Sequence, residues 1–536
     1  MSKPASSFRE VTRNRVLKDL LGSVRGKEGE WNVLVMDEIT VKVTSSCCTM
    51  SDIMDEGISL VEDIHLQRQP QPSQAAVYFI TPQHTSVARL IEDFTGKEGP
   101  MYRAAHVFFS SSVGKVAMNH IRQCTPLVSR IATLKEINLE YSAGESQTFT
   151  TITPTSLEVL YGAGQIPGFE EEVGKIIARI STVFTTLGEF PSIRYRSPTA
   201  ATGNATKMSG AQCRLAQRIA QGVHDRLVRV SQRNPAAMPS GETCDLLIVD
   251  RGMDTVAPVI HEWTYEAMLH DLLEVGPSGV YKYQLETNAG KRESKDVLLG
   301  EHDPVFVELR HLHIAEASIR LKNKLDEFGA NNKAAQMKRG GNPLSTRDIR
   351  GLVQSLPQYR EQLTKLALHT DIAHSLLEKV QALNLDKIGT VEQDIVLGEA
   401  NSKDILKMPE LKTMSSVDKL RMLMCYAATH TGKLDNKRRM QWLTILELTP
   451  EELSAVLNLE LLGVPVSKDN NGKKGFLSFG DRKDRATRKE RPGMTAQDYM
   501  LARFTPLLAE AVEGMDRRQL SEEEFPWLKK PSGGAA

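Results

Sequence analysis

Ala76-Val77-Tyr78-Phe79-Ile80, closed by Thr81-Pro82, is an apolar run that carries no charge. A run this short, ended by turn formers, reads as a strand buried on both faces. Three further runs stand around it. They are Val33-Leu34-Val35-Met36 before Asp37, His106-Val107-Phe108-Phe109 before Ser110-Ser111-Ser112, and Ile137-Asn138-Leu139-Glu140-Tyr141. Helical patterns fill the gaps, as in Val87 to Phe94 and Val113 to Ile121. Apolar strands with helical connectors predict a parallel sheet covered on both faces, so the first 140 residues read as an α/β domain.

Further along, Gly162 to Gly168 and Ser197 to Gly210 are rich in Gly, Ser, Thr and Pro and read as loops. Val173 to Phe184 and Ala211 to Val230 read as helices, and Leu246-Leu247-Ile248-Val249 as a fifth strand ending at Asp250. After about residue 257 helical spacing takes over. Ile260, Trp263, Ala267 and Met268 fit one helix face, and Ile314, Leu321, Leu325 and Phe328 another. Ile349, Leu352, Val353 and Leu356 open a third, which extends past Pro357 to Val380. The Gly340-Gly341-Asn342-Pro343 breaker between the last two predicts a long helical hairpin, about residues 314–380. Helices are also expected at Ser416 to Ala428, Asn436 to Leu448, Pro450 to Leu462 and Ala496 to Val512. The charged stretch Ser467 to Pro492 reads as a solvated linker, with its basic part at Arg482 to Arg491.

The chain has 536 residues, 40% hydrophobic and 25% charged, which is enough apolar material for about three domains. Lys plus Arg and Asp plus Glu both number 67, and a balance this even argues against the simplest nucleic-acid reading, a strongly basic chain, though an average hides local segregation of charge. Six cysteines without a C-x-x-C pair point to reduced thiols in a cytosolic protein; Cys47 and Cys48, being adjacent, suit neither a disulfide to each other nor one metal. No run approaches the roughly 18 apolar residues of a membrane span.

Catalytic motifs fail one after another. In Gly162-Ala163-Gly164-Gln165-Ile166-Pro167-Gly168, Pro167 stands where the third glycine of a dinucleotide loop belongs. Gly168 to Gly174-Lys175 has one residue too many for a P-loop, and Ile176 replaces the magnesium-binding hydroxyl. His261-Glu262 opens like a zinc-protease motif, but Tyr265 replaces the second ligand. His311 and His313 have no third ligand near them, and Asp250 and Asp254, with Arg251 between them, suit a structural turn. No cofactor, metal or catalytic residue is expected. A phosphate- or nucleotide-using enzyme on the first sheet stays as an alternative, as does a tethering scaffold.

The segment from Leu246-Leu247-Ile248-Val249-Asp250-Arg251-Gly252-Met253-Asp254 through His261-Glu262-Trp263-Thr264-Tyr265-Glu266-Ala267-Met268 resembles the signature of the SM family. These are the Sec-one/Munc-eighteen-like regulators of SNARE-mediated membrane fusion. Other stretches agree in order: Ser45-Ser46-Cys47-Cys48, Glu56 to Ile64, Tyr102 to Phe109, Arg310 to Glu316, Val391-Glu392-Gln393-Asp394 and Leu462-Gly463-Val464-Pro465. His261 to Tyr265 and Asn331 to Gln336 look most like the plant branch.

The resemblance implies an arch of three domains: α/β residues 1–140, a discontinuous α/β part of residues 141–256 with 488–536, and mainly helical residues 257–487. It implies further strands beyond the region of Pro526 to Pro531. It also implies a monomer without enzymatic activity that clamps a syntaxin-type Qa-SNARE and assists SNARE assembly. Such a protein would be cytoplasmic, meeting the plasma membrane or vesicles only through SNAREs. By position, Asp37, Lys42, Glu62 and Arg68 resemble the family's charged cleft, with Thr49, Leu66 and Gln69 departing from it. Met118, Ile131 and Leu134 resemble an apolar pocket for the syntaxin N-terminal peptide, and Leu352 and Leu356 a SNARE-templating part of the hairpin.

Overall fold

The computed structural model describes residues 7–26, 30–96, 99–164, 167–198, 208–235, 238–239, 241–276, 279–286, 292–331, 346–466, 488–491 and 501–530. It divides into two compact units: residues 1–202, 208–250 and 521–536, and residues 203–207 and 251–520.

The first unit is built on five parallel strands in the order β2-β1-β3-β4-β5. They are β1 (Asn32–Met36), β2 (Ile58–Asp63), β3 (Gln71–Ile80), β4 (Tyr102–Phe109) and β5 (Ile131–Glu136). The apolar runs are continuous because both faces are covered. Leu34, Met36, Val77, Phe79 and Phe108 join one core with Val16 and Leu20. Val33, Val35, Tyr78, Val107 and Phe109 join the other with Val87, Leu90 and Phe94. The helices around the sheet are α1 (Phe8–Asn14), α2 (Glu38–Ser45), α3 (Met50–Asp55), α4 (His84–Thr95) and α5 (Lys115–Gln123).

Two strand assignments are corrected. Ile137 to Tyr141 is not a strand: the sheet's last strand is β5, just before it, and β2 was not expected at all. Both are edge strands with a largely exposed pattern, so neither shows an apolar run. Ile137 to Tyr141 leaves the sheet as a loop that turns at Asn138, whose φ of 54° is left-handed, with Ile137 N–H donating to Phe109 O (2.8 Å) and Leu139 N–H to Ser110 O (2.6 Å). Ile137, Leu139 and Tyr141 point into the core, which explains the alternation that mimics a strand.

Helices α6 (Phe169–Leu187) and α7 (Leu215–Arg233) pack together beside a parallel pair, β6 (Pro191–Tyr195) and β7 (Cys244–Ile248). The segment around Pro526 runs along β6: Leu528 N–H donates to Ile193 O at 2.8 Å and Ser197 N–H to Glu524 O at 2.7 Å.

The second unit is mostly helical. Helix α8 (Tyr265–Leu272) starts later than expected. Ile260 and Trp263 are buried but precede it: Ile260 closes a turn, its N–H donating to Val256 O at 3.0 Å, and Trp263 lies where Ile314 N–H donates to Trp263 O and Tyr265 N–H to Leu312 O, each at 2.9 Å. An antiparallel hairpin, β8 (Val280–Glu286) with β9 (Arg292–Leu298), interrupts what read as helical sequence. The expected helical hairpin is present as α9 (Ile314–Asn331) packed on α10 (Thr346–Leu383), which runs on through Pro357. Next come α11 (Leu385–Leu397) and α12 (Ser416–Thr429). The last helix, α13 (Leu507–Asp516), begins well after Ala496, because residues around Phe504 are held extended: Phe504 N–H donates to Gln393 Oε1 at 3.0 Å. Residues 496–500 lie outside the described residues.

The linker reading is corrected at its end. Arg488 is buried, and its guanidinium donates to Asp254 Oδ1 at 3.1 Å. Lys489 Nζ donates to Glu510 Oε2 at 2.7 Å and Arg491 Nε to Phe504 O at 3.1 Å, while residues 482–487 of the basic stretch lie outside the described residues.

Candidate partner-binding surfaces

Asp37 ends β1 and caps α2. Its Oδ1 accepts from Thr40 N–H at 3.1 Å. Its Oδ2 accepts from Thr81 N–H (2.6 Å), Thr81 Oγ1 (2.6 Å) and Ser86 Oγ (2.9 Å). Both oxygens are occupied and the residue is buried, so Asp37 ties together β1, β3 and α4. Lys42 lies on the outer face of α2, exposed, with Nζ 2.7 Å from Glu38 Oε1. Met50 and Met54 on α3, and Leu66 after β2, are also exposed.

Glu62 and Arg68 belong to one polar network. Tyr102 donates its hydroxyl to Glu62 Oε2 at 2.6 Å. The Arg68 guanidinium, only 5% exposed, forks onto Asp93 with bonds of 2.8 and 3.0 Å, while the Tyr78 hydroxyl donates to Asp93 Oδ2 at 2.7 Å. Burial works against the Arg68 cation, but the bond and charge of Asp93 outweigh it, and its pKa ends above the ordinary value. Of the four expected cleft charges, Lys42 alone stands well out in solvent, Glu62 is half-buried, and Asp37 and Arg68 are built into the fold. Asp93, Tyr78 and Tyr102 gave no signal in the sequence, since their pairing depends on strands distant in the chain.

Ile131 and Leu134 are three apart, which in a regular strand puts them on opposite faces. A bulge restores them to one face: β5 pairs Ile131 with Ala105 and Leu134 with Val107, and both β4 partners face the core that α5 covers. Met118 sits on α5, half-buried; Ile131 is half-buried and Leu134 is 39% exposed. The three thus share one side of the sheet at its open edge. On the α4 side of α5 lies a groove of about 480 Å³ lined by Pro82, His84, Val87, Ile91, Val116 and His120. Leu352 and Leu356 fall on α10, where side chains before residue 361 lie outside the described residues.

The tempting catalytic residues are structural. Lys175 pairs with Glu171 one turn earlier on α6 at 2.6 Å. Asp250 pairs with Arg196 at 2.6 Å, and Asp254 accepts from Val256 and Ala257 N–H as well as from Arg488, so Arg196 and Arg488 supply cations to the turn. Among the described residues no three His, Cys, Asp or Glu side chains gather as a metal site, and no helix is long and apolar enough to cross a membrane.

A model of the Sec1 family matches residues 32–536. The chain belongs to the Sec1 family. It is 41% identical to the SNARE-interacting protein KEULE of Arabidopsis thaliana, over 98% of this chain and 79% of that protein. Protein transport Sec1a of Arabidopsis thaliana is 37% identical over 98% of this chain and 77% of its own length. Among solved structures, the Unc18–syntaxin 1 complex from Monosiga brevicollis matches with a TM-score of 0.77 and 27% identity, over 98% of this chain and 89% of that one. The complex of the SM protein Vps45 with the Qa SNARE Tlg2 shares the fold, with a TM-score of 0.72 at 19% identity, over 98% and 88%.

In this Sec1-family chain the signature from Asp254 to Met268 builds core. His261 Nδ1 lies 2.9 Å from Glu392 Oε2 and its Nε2 lies 3.4 Å from Asp418 Oδ1. Burial alone would lower the His261 pKa, but Asp418 and Glu392 outweigh it and push it up to about 9. Trp263 packs so close to Gly389 of α11 that a Cβ there would sit 2.7 Å from its ring. The Tyr265 hydroxyl meets His369 Nδ1 at 2.8 Å.

Proposed function

We propose that this chain binds a syntaxin-type Qa-SNARE and the assembled SNARE complex, and so regulates vesicle docking and membrane fusion in secretion and cytokinesis. One observation carries the reading: the whole chain matches a SNARE-interacting relative, and its fold is that of an Unc18 protein captured on syntaxin 1. The mechanism is binding, with no covalent chemistry. The chain acts as a monomer that reaches the plasma membrane or vesicles through its SNARE partner.

The outer face of α2, with Lys42, and the neighbouring Glu62 form the charged contact, while Asp37 and Arg68 hold that surface in place. Met118, Ile131 and Leu134 take an apolar side chain of the partner's N-terminal peptide, and Leu352 and Leu356 on α10 guide assembling SNARE helices. A clamp of this kind buries above about 2,000 Å², and nanomolar affinity corresponds to about −12 kcal/mol.

The test is capture of purified Qa-SNARE cytosolic domains by the full chain. Stoichiometric binding to at least one supports the reading. Failure with every Qa-SNARE of the same cell, alone and in assembled complexes, overturns it.

A further inference from the structure

The junction between α2 and α3 holds two thiols side by side. Ser46 ends α2, Thr49 caps α3, and Cys47 and Cys48 lie between them with Sγ atoms 3.7 Å apart. Adjacent cysteines have Cα atoms about 3.8 Å apart, short of the usual disulfide range of about 4.4–6.8 Å, and adjacency alone argues against a cross-link. The fold nevertheless turns both side chains the same way and makes them unlike. Cys47 is 4% exposed and belongs to the core. Its S–H has Val43 O, Thr44 O and Cys48 Sγ within reach. Cys48 is half-buried at the edge of the same core.

Charge sharpens the difference. Donation from Cys47 holds the Cys48 thiol below its ordinary pKa, against burial and Asp52, with help from Arg13 and Arg9 of α1. Cys47 shifts the other way, because it keeps the shared proton and is buried. The other half-buried cysteines are different: burial pushes the Cys213 thiol up, and that of Cys244 up to about 11. A half-buried thiol held below its ordinary pKa beside a second thiol is the arrangement that reacts with oxidants and resolves the product.

We propose that Cys47 and Cys48 form a reversible redox site, in which Cys48 reacts with a hydroperoxide and Cys47 resolves the product into a vicinal disulfide. The Cys48 thiolate attacks the peroxide: an S–O bond forms, the O–O bond breaks, and the departing alkoxide or hydroxide takes a proton from solvent. The Cys47 sulfur then attacks the Cys48 sulfenic acid. An S–S bond forms, the S–O bond breaks, and the hydroxide leaves as water with the Cys47 proton. The pair gives up two electrons, and the peroxide becomes an alcohol or water plus a second water. The sulfurs must close from 3.7 Å to about 2.05 Å within a strained eight-membered ring, so the product is readily reduced by small thiols.

The experiment treats the intact chain with hydrogen peroxide, quenches with an alkylating agent and maps all six cysteines by mass spectrometry. The peptide carrying Cys47 and Cys48 should lose two hydrogens and both alkylation sites at least tenfold faster than Cys213 or Cys244 react. Dithiothreitol should restore it. Cys47→Ser should stop at a dimedone-trappable sulfenic acid on Cys48, and Cys48→Ser should leave Cys47 inert. Oxidation of Cys48 no faster than Cys213, or sulfenic acid on Cys48 of the unaltered chain with no bond to Cys47, overturns the proposal. The unaltered chain decides the matter even where a variant folds poorly.

Discussion

Lys42 and Arg68 carry the same formal charge and have opposite standing. Lys42 is exposed beside Glu38, so its bond to that residue contributes little to folding. Lys42→Glu should leave the denaturation midpoint nearly unchanged. It should weaken Qa-SNARE binding about tenfold at low salt and less at high salt, since rim charges act at long range and are screened. Affinity that stays constant in both salts would remove Lys42 from the contact. Arg68 is sealed against Asp93. Arg68→Met strands a buried carboxylate and should cost about 3–5 kcal/mol in denaturant unfolding, whatever it does to binding. His261 yields a pH prediction. Its folded pKa of about 9 lies above its ordinary 6.5. The stabilisation is therefore complete below about pH 6.5 and fades as pH rises through about 9, by up to about 3 kcal/mol. Unfolding curves between pH 6 and 10 measure it, and His261→Gln should flatten that slope.

Among the elements, central strands and amphipathic helices were legible and edges were not. β3 announces itself because both its faces are buried, whereas β2 and β5 each meet solvent and carry polar residues there. The late start of α8 was hidden for a related reason. Ile260 and Trp263 have helical spacing, but Ile260 closes a turn on Val256, and main-chain bonds to residues 312–314, far along the chain, hold residues 263–265 out of the helix. Helix α11 meets Trp263 through Gly389, which has no side chain to keep them apart. Gly389→Ala gains helix propensity of about 1 kcal/mol. Overpacking against the ring should more than cancel it, for a net loss of about 1–2 kcal/mol. A more stable variant, by thermal or denaturant unfolding, would show that Trp263 moves aside freely.

For the molecule as a whole, binding a folded partner must stabilise whatever surfaces it touches. With a Qa-SNARE cytosolic domain present at about 100 times its Kd, unfolding should cost about 2.7 kcal/mol more, seen as a raised Tm. The same partner should give no shift if the fold resemblance does not extend to binding. The sequence by itself determined the α/β beginning, the helical second half with its long hairpin and the family, because hydrophobic periodicity and ordered motifs are local and survive without coordinates. It also suggested which residues could form a charged cleft. Only the tertiary structure decided their standing. Asp37 and Arg68 became internal ties, Lys42 stayed outside, and a single bulge brought Ile131 and Leu134 onto one face. The reason is physical: whether a charge is buried, and what it pairs with, depends on strands and helices many residues away. The even balance of 67 cations and 67 anions holds no record of those pairings.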